Sequence, residues 1–148
     1  MQLENDNKIP VIFYKKCKEN HLKITPQRVA IYDQIINLVN HPTTEQLYKI
    51  IAKQYPNISL DTVNRTLLTF AKIGIVRVIE GFGSPRRYDP NLENHHHVHC
   101  INCGKILDFF CDKYDNIGIP MEIERKFNIL NKRIVLSGIC KKCDGKID

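Results

Sequence analysis

The chain has 148 residues, a net charge of +6, 43% hydrophobic residues and 6 cysteines, which is enough for one domain or two small ones. No run approaches the roughly 18 consecutive apolar residues of a membrane helix, and the first residues, MQLENDNKIP, lack the basic start and apolar core of an export signal. The composition therefore argues against a disordered, secreted or membrane-spanning chain and predicts a cytoplasmic globular protein with reduced cysteines and no membrane partner.

The positive charge is concentrated in the first part of the chain. Residues 1–90 contain 13 Lys/Arg and 8 Asp/Glu, a net of +5, whereas residues 91–148 contain 9 and 8, a net of +1. A basic region is better suited than a neutral one to contact a polyanion such as DNA, although an excess of this size is also common on solvated surfaces. The charge therefore favours the first part for nucleic-acid binding but does not establish it.

Four helices are predicted in this basic part, the first over residues 9–21. The other three begin at N-cap candidates Thr25, Thr43 or Thr44, and Ser59, because Thr and Ser side chains accept hydrogen bonds from the free N–H groups of a first turn. Gly74 is placed to end the fourth helix. The apolar positions expected to face the core are, helix by helix, Val11, Ile12, Tyr14 and Cys17; Val29, Tyr32, Ile35, Ile36 and Val39; Leu47, Ile50 and Ile51; Val63, Leu67, Phe70 and Ala71.

After the fourth helix the pattern changes from helical to extended. IVRVIE and RRYD predict two strands joined by the turn-forming loop GFGSP. Helices followed by a β-hairpin are the order of a winged helix-turn-helix, whose recognition helix enters the DNA major groove. Since Arg binds guanine or phosphate and Asn pairs with adenine, the candidate DNA contacts are Asn64, Arg65, Arg86 and Arg87. Each of the four is alternatively an ordinary solvated side chain.

The remaining sequence predicts a second, smaller domain of α/β type. DPNLEN at 89–94 is rich in turn formers and predicts a hinge, so the expected boundaries are a DNA-binding domain at 1–88 and a metal-binding domain at 95–148. NHHHVHCINCGKILDFF predicts two strands around a Cys-x-x-Cys turn, a short helix is expected near 120–128, and KRIVLSGIC predicts a last strand. The overall fold class is therefore α+β.

Two Cys-x-x-Cys motifs predict a structural zinc site. Zinc binds four thiolates tetrahedrally and leaves no position open for a substrate. A half of fewer than about 60 residues buries little apolar surface, so an ion that joins its beginning to its end would stabilise it. A redox-active dithiol is the alternative. The four candidate ligands are Cys100, Cys103, Cys140 and Cys143, whereas Cys17 and Cys111 are expected to be buried, unreactive side chains.

The adjacent segment HHHVH predicts a second metal site of a different kind. Alternate side chains of a strand share a face, so His95 and His97 point to the same side and could bind one ion. Asp89 and Asp108 are near enough in sequence to complete the site. Nitrogen and oxygen ligands without sulfur suit Fe2+ or Mn2+, and fewer than six protein ligands leave a position for a small molecule.

These motifs, in this order, resemble the ferric uptake regulator (Fur) family of bacterial metal-dependent transcription factors over nearly the whole chain. The resemblance is carried by TPQR at 25–28, HPT at 41–43, ISLDTVNRTL at 58–67, RRYDP at 86–90, HHHVHCINCGKILDF at 95–109 and GICKKC at 138–143. It implies a homodimer with an N-terminal winged-helix DNA-binding domain and a C-terminal α/β dimerisation domain. Most members repress transcription from operator DNA when a regulatory metal is bound.

Within the family, the match is closest to the peroxide-sensing repressors, the PerR branch. The resemblance implies a regulatory site for Fe2+ or Mn2+ made of His41, Asp89, His95, His97 and Asp108. The iron-sensing branch typically has glutamate in place of both aspartates. The resemblance also implies that peroxide reacts at bound Fe2+ and oxidises His41 or His95, which releases the metal and then the DNA. An iron- or manganese-responsive repressor without peroxide chemistry is the alternative.

Two other classes of protein compete with a regulator. A zinc hydrolase or deaminase needs a general base beside the metal, but the chain contains neither H-E-x-x-H nor the deaminase H-x-E pattern. We therefore expect no enzyme, and no small-molecule substrate other than the metal and hydrogen peroxide. A zinc-binding RNA or protein adaptor is the remaining alternative. The sequence assigns no role to His96 and His99.

Overall fold

The computed structural model describes residues 9–38, 41–79 and 86–145. The chain divides into two compact units, with the boundary between Leu92 and Glu93, inside the segment predicted as a hinge. Within the described part of the chain, no helix is both long enough and apolar enough to cross a membrane.

In its described residues, the first unit contains four helices followed by a pair of short antiparallel strands. The helices are α1 (Val11–Glu19), α2 (Pro26–Asn37), α3 (Thr44–Gln54) and α4 (Leu60–Ile73), and the strands are β1 (Arg77–Val78) and β2 (Tyr88–Asp89). Arg77 pairs with Asp89 and Val78 with Tyr88. This is the predicted order of helices and strands; the predicted loop GFGSP lies in 80–85, outside the described residues.

Local side-chain hydrogen bonds explain where the helices begin and end. Thr25 accepts from the Arg28 N–H at 3.3 Å. Thr43 forms a capping box, in which it accepts from the Gln46 N–H while Gln46 accepts from the Thr43 N–H. Ser59 caps α4. Gly74 ends α4 with φ 80°, a left-handed conformation that glycine adopts without a steric cost. The predicted caps are confirmed.

The core of the first unit corrects the prediction for α1. Val11 is 80% exposed and Tyr14 is 43% exposed, whereas Phe13 and Cys17 are buried. Helical geometry explains the exposure of Val11, because with about 100° between successive residues it lies about 160° around the helix from Phe13. Tyr14 lies at the edge of the buried face, where its ring meets that of Phe13 edge-on at a centroid distance of 5.3 Å. Phe13 stacks on Tyr32 at a ring-centroid distance of 4.7 Å.

The other helices pack as the periodicity predicts. The predicted inward positions that are buried are Tyr32, Ile35, Leu47, Ile51, Val63, Leu67 and Phe70. Val29, Ile36, Ile50 and Ala71 are half-buried, Ile31 joins the core without having been predicted, and Val39 lies outside the described residues.

The described part of the second unit consists of a three-stranded sheet and two single-turn helices. Its strands are β3 (His96–Cys100), β4 (Ile106–Phe109) and β5 (Val135–Gly138), in the order β4-β3-β5. β3 is antiparallel to β4 and parallel to β5, so the strand with the histidines is central. The helices are α5 (Asp112–Asp115), which was not predicted, and α6 (Met121–Glu124), which is shorter than predicted. The mixed helix-and-sheet fold class is confirmed.

Candidate metal centres

The four paired cysteines lie together at one end of the central sheet. β3 and β5 run parallel, and Cys100 pairs with Gly138. Both strands therefore end at the same end of the sheet, and the turns that follow them lie side by side. Each of the four cysteines contributes its Sγ atom, and all four Sγ atoms lie within 4.8 Å of one another. The Cys103 and Cys140 sulfurs are 3.9 Å apart. A zinc ion about 2.3 Å from each sulfur would separate neighbouring sulfurs by about 3.8 Å, so the cluster fits zinc.

The surroundings of these sulfurs favour a thiolate at Cys100 and disfavour it at Cys143. Hydrogen bonds from the backbone N–H groups of Cys103 and Cys140 lower the pKa of the Cys100 thiol to about 6. The Cys143 pKa is raised to about 11, because the neighbouring sulfurs, led by Cys140, and burial outweigh the lowering by a hydrogen bond to Asn102. Four sulfurs this close repel one another as thiolates, and a divalent cation between them removes that repulsion.

Three of the predicted regulatory ligands lie together on one face of the sheet. His97 is directly opposite Asp108 in the β3–β4 register. The His97 Nε2 is 3.1 Å from Asp108 Oδ1 and 3.1 Å from the His95 Nε2, and the His95 Nε2 is 3.7 Å from Asp108 Oδ2. Adjacent ligand atoms of one ion, each about 2.1 Å from it at right angles, are about 3 Å apart. The spacing of this group fits a shared cation.

The ring of His95 is held in the tautomer that a metal ligand needs. Its Nδ1 is 2.7 Å from the backbone carbonyl oxygen of Glu93. A carbonyl only accepts, so Nδ1 carries the proton and Nε2 presents its lone pair toward His97 and Asp108. Metal-binding histidines commonly have their second nitrogen fixed by such a carbonyl.

The two other predicted ligands lie in the first unit and pair with each other. His41 Nδ1 is 3.8 Å from Asp89 Oδ1, and both side chains are buried. His41 precedes the cap of α3 and has a left-handed backbone, with φ 49°. Asp89 ends β2 and accepts a hydrogen bond from the Asn91 N–H at 2.9 Å. Spacing alone could not have found His41, because it lies far from Asp89 in sequence; the signal was the motif HPT at 41–43.

His96, which had no predicted role, faces away from this group and is fully buried. Its Nε2 is 2.8 Å from Asp115 Oδ1, and its Nδ1 accepts a hydrogen bond from the Ile134 N–H at 3.0 Å. The Nε2 therefore carries the proton and donates a hydrogen bond to the Asp115 carboxylate. Asp115 also accepts from the Asn94 amide at 2.8 Å. His96 thus links β3 to α5 and to the segment before β5. The alternation of side chains along a strand indicated that His96 faces away from His95 and His97, but not which groups it meets.

The predicted DNA contacts differ in their surroundings. On α4, Asn64 is half-buried, while Arg65 is exposed and forms an ion pair with Asp61 one turn earlier, at 2.8 Å. An exposed pair of this kind contributes little to stability and leaves the arginine available to a partner. Arg86 is exposed. Arg87 is half-buried, and its Nη1 donates to the backbone carbonyl oxygen of His41 at 3.2 Å.

The two cysteines outside the cluster are not alike. Cys17 is fully buried, and burial raises the pKa of its thiol, which makes it unreactive as predicted. Cys111 is only half-buried, at the residue before α5, so the expectation of a buried side chain is wrong there. None of the residues in the single-turn helix that follows it is buried.

Sequence comparisons agree on one family. A profile described as Ferric uptake regulator family matches residues 19–137. Three similar relatives are each named "Peroxide-responsive repressor PerR". The one from Staphylococcus saprophyticus is 36% identical over 129 residues, which is 87% of each chain. The one from Staphylococcus epidermidis is 36% identical and covers 82% of this chain and 81% of its own. The one from Staphylococcus aureus strain Mu50 is 36% identical and covers 84% of each.

Solved structures give the same fold. The Helicobacter pylori ferric uptake regulator Fur, described as having three functional metal binding sites, matches with a TM-score of 0.71 and 25% identity over 97% of both chains. A zinc-bound manganese uptake regulator matches with a TM-score of 0.62 and 25% identity, over 86% of this chain and 97% of that one. PerR from Streptococcus pyogenes matches with a TM-score of 0.50 and 26% identity, over 89% of this chain and 90% of that one.

Proposed function

The chain belongs to the ferric uptake regulator family of metal-responsive regulators, and on that premise we propose that it is a peroxide-sensing repressor. The observation that supports this most directly is Asp108, whose carboxylate lies 3.1 Å from the His97 Nε2 on the opposing strand. Aspartate at this position resembles the peroxide-sensing branch rather than the iron-sensing branch, and relatives at 36% identity carry the name of a peroxide-responsive repressor.

In this proposal the two clusters have different tasks. Zn2+ held by the four paired cysteines stays bound and stabilises the second unit, because a closed tetrahedral set leaves no position for exchange. The regulatory ion, Fe2+ or Mn2+, takes ligands from both units: His41 and Asp89 from the first, and His95, His97 and Asp108 from the second. Each of these two groups is already assembled within its own unit, with His41 3.8 Å from Asp89 and His97 3.1 Å from Asp108.

Ligands supplied by both units would couple metal binding to DNA binding. An ion that needs both groups stabilises whichever arrangement of the units lets all ligands reach it, and it shifts the equilibrium only by its differential affinity for that arrangement. Repression at an operator would then depend on occupancy of the site. Mn2+ and Fe2+ would both support it, because both accept imidazole and carboxylate ligands.

Peroxide would act on the same ligands. Bound Fe2+ would supply the electrons that reduce hydrogen peroxide locally, and His41 and His95 are the ligands proposed to be oxidised. The hydrogen bond between the His95 Nδ1 and the Glu93 carbonyl oxygen directs the lone pair of Nε2 toward His97 and Asp108. Oxidation of this ring would therefore remove one nitrogen ligand of the metal. The regulatory metal and then the DNA would be released, while the zinc ion stays.

DNA binding in this proposal uses the first unit. The recognition helix is α4, where Arg65 is exposed and Asn64 is half-buried, and Arg86 lies beside the hairpin strand β2. A second copy of the chain would double the contacts and read two half-sites of an operator.

The exposed apolar residues of the second unit support such a dimer. Among its described residues, seven large apolar side chains are at least half exposed: Ile101, Leu107, Phe110, Met121, Phe127, Leu130 and Ile139. A single small unit seldom exposes this much apolar surface to water, and covering it with a second copy would stabilise both.

The deciding experiment exposes the zinc-loaded, Fe2+-loaded protein to low peroxide without oxygen. We expect mass spectrometry to find added oxygen on a peptide with His41 or His95, together with loss of binding to the chain's own upstream DNA in a gel shift. The Mn2+ form, treated identically, should keep both its mass and its DNA. Unmodified histidines with DNA binding retained would instead favour an iron- or manganese-responsive repressor, which the higher TM-score to the Helicobacter pylori Fur supports.

A further inference from the structure

Arg86 and Arg87 are adjacent, yet they have different surroundings. Arg86 is exposed, as a side chain that contacts DNA would be, whereas Arg87 is half-buried. The Nη1 of Arg87 donates a hydrogen bond to the backbone carbonyl oxygen of His41, 46 residues away in sequence, at 3.2 Å. We propose that Arg87 is a positioning residue for the metal ligand His41 and not a DNA contact. The inference rests on the proposed function, since it takes His41 as a ligand of the regulatory ion.

The backbone of His41 is in a conformation that needs support. Its φ of 49° is left-handed, which a residue with a Cβ rarely adopts. Such a conformation persists where surrounding contacts hold it, and it is disfavoured when they are lost. The orientation of the His41 side chain depends on this backbone, because the Cβ direction is set by φ and ψ.

Three contacts hold the loop that contains His41 against β2. The Tyr88 N–H donates to the Pro42 carbonyl oxygen at 3.2 Å. Thr43 forms an isolated antiparallel bridge with Arg87. Both contacts use backbone atoms and survive substitution of a side chain. The guanidinium of Arg87 supplies the third contact, which is made to the backbone carbonyl oxygen of the proposed ligand His41. A substitution of Arg87 can remove this contact.

Arg87 therefore links the two ligands of the first unit. It lies two residues before Asp89 along the chain, and its side chain holds the loop that contains His41. The His41 Nδ1 is in turn 3.8 Å from Asp89 Oδ1. If only a fraction of molecules keeps His41 in place, the apparent Kd for the metal rises by the reciprocal of that fraction. Loss of one hydrogen bond of ordinary strength corresponds to about a threefold to tenfold increase in Kd.

The experiment compares Arg87→Met with Arg86→Met in the full-length, zinc-loaded chain. Methionine removes the charge and the donors but keeps an unbranched apolar stem. Mn2+ affinity is measured by titration calorimetry, and DNA affinity is measured by gel shift at saturating Mn2+. For Arg87→Met we expect the Kd for Mn2+ to rise about threefold to tenfold with DNA affinity close to wild type. For Arg86→Met we expect the reverse, an unchanged Kd for Mn2+ and weaker DNA binding.

Arg87→Lys tests the positioning role by rescue, because lysine keeps both the positive charge and a hydrogen-bond donor. Its ammonium can still donate to the His41 carbonyl, so Arg87→Lys should recover part of the lost Mn2+ affinity. An unchanged Kd for Mn2+ in Arg87→Met, with DNA binding weakened as in Arg86→Met, would overturn the proposal and make Arg87 a DNA contact. A loss of zinc or of the thermal transition in both Arg87 variants would also overturn it, in favour of a general folding role.

A measurement on the metal-free regulatory site keeps this inference separate from the proposed function. In zinc-loaded protein without Mn2+, hydrogen exchange at the Tyr88 amide should be about threefold to tenfold faster in Arg87→Met than in wild type, and unchanged in Arg86→Met. Equal exchange in both variants would refute the role of Arg87. If wild type shows no Mn2+-dependent DNA binding while the exchange difference is present, the proposed function fails and the contact of Arg87 with the loop still stands.

Discussion

The side chains in the interior of the first unit differ in kind from those in the interior of the second. In the described residues of the first unit, the interior is a continuous apolar cluster from four helices and β2, including Phe13, Tyr32, Phe70 and Tyr88. In the described residues of the second, the buried side chains are His95, His96, His97, Cys100 and Ile106. The first unit is stabilised by apolar burial that a helical pattern encodes, while the second relies on polar pairs and candidate metal ligands.

The largest expected difference between the units concerns the zinc site. Cys103→Ser, or removal of zinc by a strong chelator, should abolish the folded state of the second unit, because structural zinc contributes on the order of 10 kcal/mol to small metal-dependent folds. The first unit should keep its helical circular dichroism and a separate thermal transition. Cys111→Ser, a matched change outside the cluster, should leave both transitions near wild type. A second unit that remained folded without zinc would break the contrast.

The opposite test removes apolar volume from the first unit. Phe70 is fully buried and meets the rings of Phe13 and Tyr32 edge-on, at centroid distances of 5.8 Å and 6.0 Å. Phe70→Ala should lower the free energy of unfolding of this unit by about 3–5 kcal/mol, as measured by urea denaturation. Zinc content should be unchanged. Leu68→Ala serves as the control on the same helix, because Leu68 is exposed.

A smaller effect is expected from the buried polar link in the second unit. Asp115→Ala leaves the His96 Nε2 without the carboxylate now 2.8 Å away, and an unsatisfied buried donor costs about 1–3 kcal/mol. We expect a lower melting temperature for the second unit with zinc still bound and the first unit unaffected. Asp112→Ala, at an exposed position of the same helical turn, should have almost no effect. Equal melting temperatures for the two variants would mean that the His96 link does not stabilise this unit.

Much of the candidate site could be predicted because its signals are local. The two Cys-x-x-Cys motifs predicted the cluster that the four sulfurs form, and the alternation expected from His95 onward separated His95 and His97 from His96. His41 was found by resemblance to a family. The link between His96 and Asp115, 19 residues apart, was not found, since nothing near His96 in sequence indicates which carboxylate will meet it.

By itself the sequence determined the features that a few neighbouring residues decide. The helix starts at Thr25, Thr43 and Ser59 and the stop at Gly74 follow from hydrogen bonds and backbone preferences within one turn. The alternation of β3 follows from its two-residue period.

Only the tertiary structure decided which side of α1 is buried, that β5 lies parallel to β3, and that Arg87 turns toward His41 instead of toward solvent. These outcomes depend on groups brought together from distant parts of the chain. Their free energy comes from packing and desolvation that no short stretch of sequence contains.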